Sequence, residues 1–219
     1  MQKLCDAQRK SLVEATTCYH ASLVGSPAEE YLAKERGLAM EEVGRFRLGF
    51  VADPLPGHER YRGWLAIPYL RWSPTSGWTV VAMRFRCIEN HDHKEHRHSK
   101  YMSLPGMTTR LFNTPAVLQT HDEIGVAEGE IDTVTASVTG VPTVGVSGAD
   151  AWLRRFRRIF LGYRRVWVFA DGDVAGRKFA ERVCGDLPNA QPVTFADNED
   201  VNSVFAAHGK AGLLERMGI

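Results

Sequence analysis

The 219-residue sequence predicts an α/β protein in two parts: a mixed α+β, basic subdomain over residues 1–115, then a mainly parallel sheet flanked by helices over residues 116–219. Two observations carry that prediction. Beyond Thr120, apolar runs of strand length alternate with stretches of helical periodicity, as in parallel strands joined by right-handed crossovers. Charge is also divided along the chain. From Gly44 to Pro115 eleven Lys and Arg face five Asp and Glu, a net of +6, whereas from Ala116 onward eleven face fourteen, a net of −3. The first part suits polyanions and the second suits cations.

Composition narrows the field. Four scattered cysteines, Cys5, Cys18, Cys87 and Cys184, form no CxxC pair, so neither a zinc ribbon nor a disulfide framework is expected. No apolar stretch approaches the length of about 20 residues that a membrane span needs, and the start MQKLCDAQRK has no signal-peptide core. The expectation is a cytoplasmic protein with no membrane partner.

The elements of the second part follow in order. EIGVAEG (123–129) reads as a strand ending at Glu128, and EIDTVTASVTG as a helix with Ile131, Val134 and Val138 on one face and a stop at Gly140. PTVGVSG is a second strand. ADAWLRRFRRIFLG (149–162) reads as a helix with Trp152, Phe156, Ile159 and Phe160 on one face and four arginines largely on the other. RVWVFADGD is a third strand, dry on both faces from Val166 to Ala170, as a central parallel strand is. AGRKFAERVCG is a helix in which Ala175, Phe179 and Val183 recur every four residues. PVTFADNED is a fourth strand, followed by VNSVFAAHG and a last helix, AGLLERMG.

The acids carry the chemistry. Asp171 and Asp173 stand at the carboxyl end of the third strand, where ligands bind in open α/β sheets. Two carboxylates one residue apart repel unless a cation lies between them, and magnesium is the hard cation that suits oxygen ligands. Taken alone, Asp-Gly-Asp is more often the turn of a plain strand-turn-helix. A calcium EF-hand loop is excluded, because its twelfth position holds Arg182; an aspartyl-nucleophile phosphatase, which carries its acids on the first strand, fits poorly. Yet acids recur at three strand ends, with Glu128 and Asp132 after the first and Asp197, Glu199 and Asp200 after the fourth. If those strands are neighbours, the clustering is tolerable only with cations.

AEGEIDTVTA (127–136), followed by VFADGDVAGRKFA (168–180), resembles the TOPRIM domain shared by bacterial-type primases, topoisomerases and certain nucleases. That resemblance implies that Glu128, Asp171 and Asp173 are the catalytic acids and that Glu128, Asp132, Asp171, Asp173 and Asp200 hold Mg2+ or Mn2+. FADNEDVNSVFAAHG is similar to the primase form of the fourth-strand segment. The family has an acid at both ends of a D-P-D triplet there; Asp200 matches the first, while Asn202 stands at the second.

The first part extends the resemblance to the primase RNA-polymerase core over roughly residues 26–210. GSPAEEYLAKERGL has Ser26 as N-cap, Pro27 in the first turn, Glu29 three positions after the cap and Gly37 as the stop. It runs into AMEEVGRFRLGFV, then a hairpin, RYRGWLAIPYLRWSPTSGWTVVAMRFR, then KYMSLPGMTTRLFN. Arg84 and Arg86, two apart on a strand, point to one face and with Lys100 form a basic floor for template or nucleotide phosphates. HDHKEHRH (91–98) packs four histidines into eight residues; since the run holds no cysteine, it reads as a solvated loop and no zinc is expected.

The resemblance implies a DnaG-like bacterial or phage DNA primase, synthesising RNA primers from ribonucleoside triphosphates on a single-stranded DNA template. No Cys/His zinc module precedes residue 26 and no large domain follows residue 210. Three alternatives follow: a separate zinc-binding or initiation subunit and a replicative helicase as partners, a fragment of a longer protein, or a compact phage enzyme. Two other readings stay open: a single-strand-binding replication subunit without turnover, and a TOPRIM nuclease.

Overall fold

A computed structural model describes residues 4–219. The chain divides into two compact units, Met1–Thr108 and Thr109–Ile219. The division falls ahead of the expected 115/116 boundary, because Leu111 enters the core of the second unit and Phe112 bridges to Gly145, its N–H donating to the Gly145 carbonyl at 2.8 Å.

In the first unit, helix α1 (Asp6–Ala21) is followed by α2 (Pro27–Glu30), which continues as a π turn over Tyr31–Glu35, and by α3 (Met40–Val43). Ser26 caps α2 as its sequence predicts, its hydroxyl accepting from the N–H groups of Ala28 and Glu29. Strands β1 (Gly49–Phe50), β2 (Leu65–Ser73), β3 (Gly77–Arg86) and β4 (Tyr101–Ser103) form an antiparallel sheet in that order. Ser73 pairs with Gly77, so SPTSG is the hairpin turn expected. Pro68, which can donate no ladder bond, lies where β1 no longer pairs with β2. Leu12, Ala15 and Tyr19 of α1 pack with Val80, Met83 and Phe85 of β3 in one core cluster. Trp64, Trp152 and Trp167 are buried, while Trp72 and Trp78 are exposed and face each other across the hairpin.

The second unit is the expected βα array. Strands β5 (Glu123–Ala127), β6 (Thr143–Gly145), β7 (Arg165–Phe169) and β8 (Ala190–Val193) form a parallel sheet in the order β6-β5-β7-β8. Its helices are α4 (Glu130–Val138), α5 (Arg157–Phe160), α6 (Val174–Asp186) and α7 (Val201–Met217). β7 is dry on both faces: Val166 and Val168 enter one core cluster, Trp167 and Phe169 another.

Three details depart from the sequence reading. Residues 149–162 are not one helix; two short 3-10 turns lead into α5, because Trp152 and Leu153 are extended and the Trp152 indole donates to Asp186 at 2.8 Å. Ile159 consequently lies 39% exposed, outside the face it was expected to share. In α6 the buried face is Gly176, Phe179 and Val183, with Ala175 exposed. The fourth strand ends at Val193, and residues beyond it leave the sheet. As the sequence suggests, α7 is broken at Gly209 (φ 64°, ψ −162°), between VNSVFAAHG and AGLLERMG.

Candidate metal centre

The neighbouring strands β5 and β7 end level with one another, Ala127 opposite Phe169. Glu128 follows directly, its N–H donating to the Phe169 carbonyl at 3.3 Å, and Asp171 leaves the adjacent strand two residues on. β8, on the far side of β7, delivers the segment 196–200 to the same edge. The three acid-bearing strands are therefore neighbours, as the sequence argument required.

Local backbone packing fixes where these carboxylates sit. The Gly172 N–H donates to the Glu199 carbonyl at 2.8 Å, and the Asn198 N–H returns to the Gly172 carbonyl at 3.1 Å. A β-carbon at Gly172 would stand 1.8 Å from the Ala196 carbonyl oxygen, and one at Gly176 would stand 2.0 Å from that of Asp171. Glycine at both positions lets the two loops and the start of α6 close around the acids. Asp173 caps α6, its Oδ1 accepting from the Gly176 N–H at 2.7 Å, and Asp200 caps α7, its Oδ1 accepting from Ser203 N–H at 2.6 Å. The Asp132 Oδ1 accepts from the Asn202 N–H at 3.3 Å.

The electrostatics show how closely these groups crowd. Burial pushes the Glu128 carboxyl up to about 7, and the charges of Asp173 and Asp132 push in the same direction. Asp171 is likewise pushed up to about 7, first by burial and then by Glu128, Asp200 and Asp173. Glu128, Asp132, Asp171, Asp173 and Asp200 thus act on one another across a single sheet edge. Backbone N–H groups of Asp171 and Ala149 offset part of the rise at Glu128, but the Glu128 Oε2 is itself shielded from solvent and has no hydrogen-bond partner. A buried carboxylate oxygen without a donor costs free energy that a cation removes, so this oxygen-only donor set fits a hard divalent ion.

Asn202 occupies the position where the sequence comparison expects a second acid. It is 2% exposed, and its amide donates to Thr135 Oγ1 at 3.0 Å while its backbone N–H holds Asp132. A neutral side chain there tolerates burial that a carboxylate would not. Gly172 and Gly176 escaped the sequence reading as parts of the site; the signal was their interleaving with the DxD acids.

Arg84, Arg86 and Lys100 belong to the first unit. Arg84 and Arg86 do share a face of β3, with both guanidinium groups on the Tyr101 ring at 5.1 and 4.7 Å from its centroid. Arg86 is nevertheless buried, and it also lies over Tyr31 and bonds the Tyr101 hydroxyl. Lys100 is exposed, and its carbonyl accepts from the Cys87 N–H at 3.0 Å.

Known proteins share this fold. Residues 123–211 match the Toprim domain. The DnaG catalytic core has a TM-score of 0.74 at 22% identity, over 95% of this chain and 78% of that one. The DnaG primase catalytic domain bound to ssDNA has a TM-score of 0.70 at 21% identity, over 97% and 80%. Residues 123–211 thus form a Toprim domain within a chain that has the DnaG catalytic-core fold. At the level of sequence, 48% identity over 157 residues, 72% of this chain and 99% of the relative, joins it to the Gene 57 protein of Mycobacterium phage D29. The chain belongs to that phage protein's family.

Proposed function

We propose that this chain is the catalytic core of a DNA primase, making short RNA primers on single-stranded DNA from ribonucleoside triphosphates with Mg2+ or Mn2+. The observation that carries the reading is the convergence of Glu128, Asp171, Asp173 and Asp200 at one sheet edge, with the Glu128 Oε2 buried and unbonded.

Asp171, Asp173 and Asp200 are the residues that would hold the ions, with Asp132 behind them. Divalent ions held there would supply positive charge to offset the negative charge that develops on the reacting phosphate. Glu128 is placed either to complete that donor set or to take the proton of the attacking 3′-hydroxyl. Its carboxyl, raised to about 7, is matched to proton transfer near neutral pH. In the reaction, a bond forms between the 3′-oxygen and the α-phosphorus, the bond to the bridging oxygen breaks, and pyrophosphate departs. Arg84 and Lys100 are assigned to phosphates of template or nucleotide, and the buried Arg86 holds Tyr101 beneath Arg84. A replicative helicase and a separate zinc-binding or initiation subunit are the proposed partners.

The test is template-directed ribonucleotide incorporation on single-stranded DNA with Mg2+ or Mn2+. Wild-type protein is expected to extend primers, and Glu128→Gln or Asp171→Asn to abolish synthesis while remaining folded. Synthesis retained by either variant refutes the assignment. DNA degradation without nucleotides would instead identify a nuclease, and binding of DNA without incorporation a subunit that has lost turnover.

A further inference from the structure

The histidine run at 91–98 does not form a simple solvated loop. Its residues His91, His93 and His98 are half-buried and turn inward, whereas His96 is exposed. Cys87, which leaves the end of β3 and is 3% exposed, joins them. The Cys87 sulfur and one ring nitrogen from each of the three histidines all lie within 4.8 Å of one another. The cysteine absent from the run itself is thus supplied four residues earlier.

Two separations centred on His91 are close to those around a tetrahedral ion. Zn–N bonds of about 2.0–2.1 Å and a Zn–S bond of about 2.3 Å separate two nitrogens by about 3.3 Å and sulfur from nitrogen by about 3.6 Å. Here His91 Nε2 is 3.1 Å from His98 Nε2 and 3.8 Å from Cys87 Sγ. The outward nitrogens are already engaged: His91 Nδ1 lies 3.3 Å from a Glu89 carboxylate oxygen, and His98 Nδ1 lies 3.2 Å from the Ser99 carbonyl. Such partners set the tautomer that leaves Nε2 as a metal ligand. The Nδ1 of His93 is shielded from solvent and has no hydrogen-bond partner.

The loop is also braced around this arrangement. The His98 N–H donates to the His93 carbonyl at 3.0 Å, Asp92 accepts from the Lys94 N–H at 2.8 Å, and Arg97 takes a left-handed conformation (φ 56°) that reverses the chain. The Cys87 N–H and the Lys100 carbonyl close its base at 3.0 Å, and Trp64 packs on the His98 ring at 4.9 Å.

We infer that Cys87, His91, His93 and His98 form a structural Zn2+ site that fastens the β3–β4 connection. A thiolate with three imidazoles selects zinc over Mg2+ or Ca2+, and four protein ligands leave no open position for catalysis. The ion would fix the start of β4 at Tyr101, the ring on which Arg84 and Arg86 rest.

The test measures metal content in the full chain, expressed with zinc in the medium and dialysed against metal-free buffer. One zinc per chain is expected in the wild type, in His96→Ala and in Asp171→Asn, and none in His91→Ala/His98→Ala. Substitution with Co2+ is expected to give the visible bands of a tetrahedral site and a near-ultraviolet thiolate band, the latter lost in Cys87→Ser. Should Cys87→Ser not fold, the wild-type cobalt spectrum and the histidine pair decide the matter. Wild-type protein without zinc overturns the assignment, leaving a hydrogen-bonded imidazole cluster. So does zinc retained in the double variant, or lost in His96→Ala or Asp171→Asn.

Discussion

Replacing Asp171 by Asn should stabilise the metal-free protein at alkaline pH and make it insensitive to magnesium. In the folded chain the Asp171 carboxyl is pushed from 3.8 to about 7 by burial and by Glu128, Asp200 and Asp173. A group whose folded pKa is raised holds its proton more tightly in the native state. Its contribution is fully present below about pH 4 and is lost as pH rises through about 7. Roughly 3 pH units at about 1.4 kcal/mol each would amount to ~4 kcal/mol. Because the carboxyl still meets solvent and shares its shift with Glu128, about half of that is the realistic cost, ~2 kcal/mol. An amide of the same shape avoids it. In EDTA at pH 8, Asp171→Asn is therefore expected to melt about 4–8 °C above the wild type; at pH 5 the gap should shrink to less than half of that, and it should close below about pH 4. Saturating Mg2+ should raise the wild-type midpoint and leave the variant unmoved; at a hundred times Kd the gain is about 2.7 kcal/mol. The reasoning fails if the variant is no more stable than wild type at pH 8 without metal, or if Mg2+ stabilises both equally.

Other consequences can be checked separately. Gly172→Ala would place a β-carbon 1.8 Å from the Ala196 carbonyl oxygen, so chemical denaturation should show a loss of about 3 kcal/mol, along with the response to Mg2+. Asn202→Ala removes the buried amide bond to Thr135 and should cost about 1–2 kcal/mol by the same measurement. Arg84→Ala should weaken binding of single-stranded DNA about 5–10-fold and lower the slope of log K against log salt by about 1; an unchanged slope would remove Arg84 from the phosphate contacts.

How much of this was legible in the sequence depends on how local each signal is. β7 and the acids that follow it are legible because Val166–Phe169 is apolar at every position, which only a strand buried on both faces requires. The helix expected over 149–162 failed because periodicity cannot report that the Trp152 indole reaches Asp186, a bond between residues far apart in sequence. Phe195 and the acids around it look like strand end, yet after Val193 the backbone partners are in the Gly172 loop and no longer in the ladder. Helix α1 carries no strong apolar stripe: Leu12, Ala15, Thr16 and Tyr19 bury small or partly polar surface, so it was not anticipated. Cys87 was separated from the histidines because the run was read without the strand end that precedes it.

Asp173 and Asp200 each begin a helix as well as facing the crowded edge. An oxygen of either side chain serves a backbone N–H whether or not the other carries charge toward an ion. Asparagine caps a helix about as well as aspartate but is a poor ligand for a hard cation, whereas alanine fails at both tasks. On the proposed function, amide replacements at these two positions should therefore yield an inert, intact protein able to occupy DNA without turning over, a natural reagent for trapping whatever assembles around it.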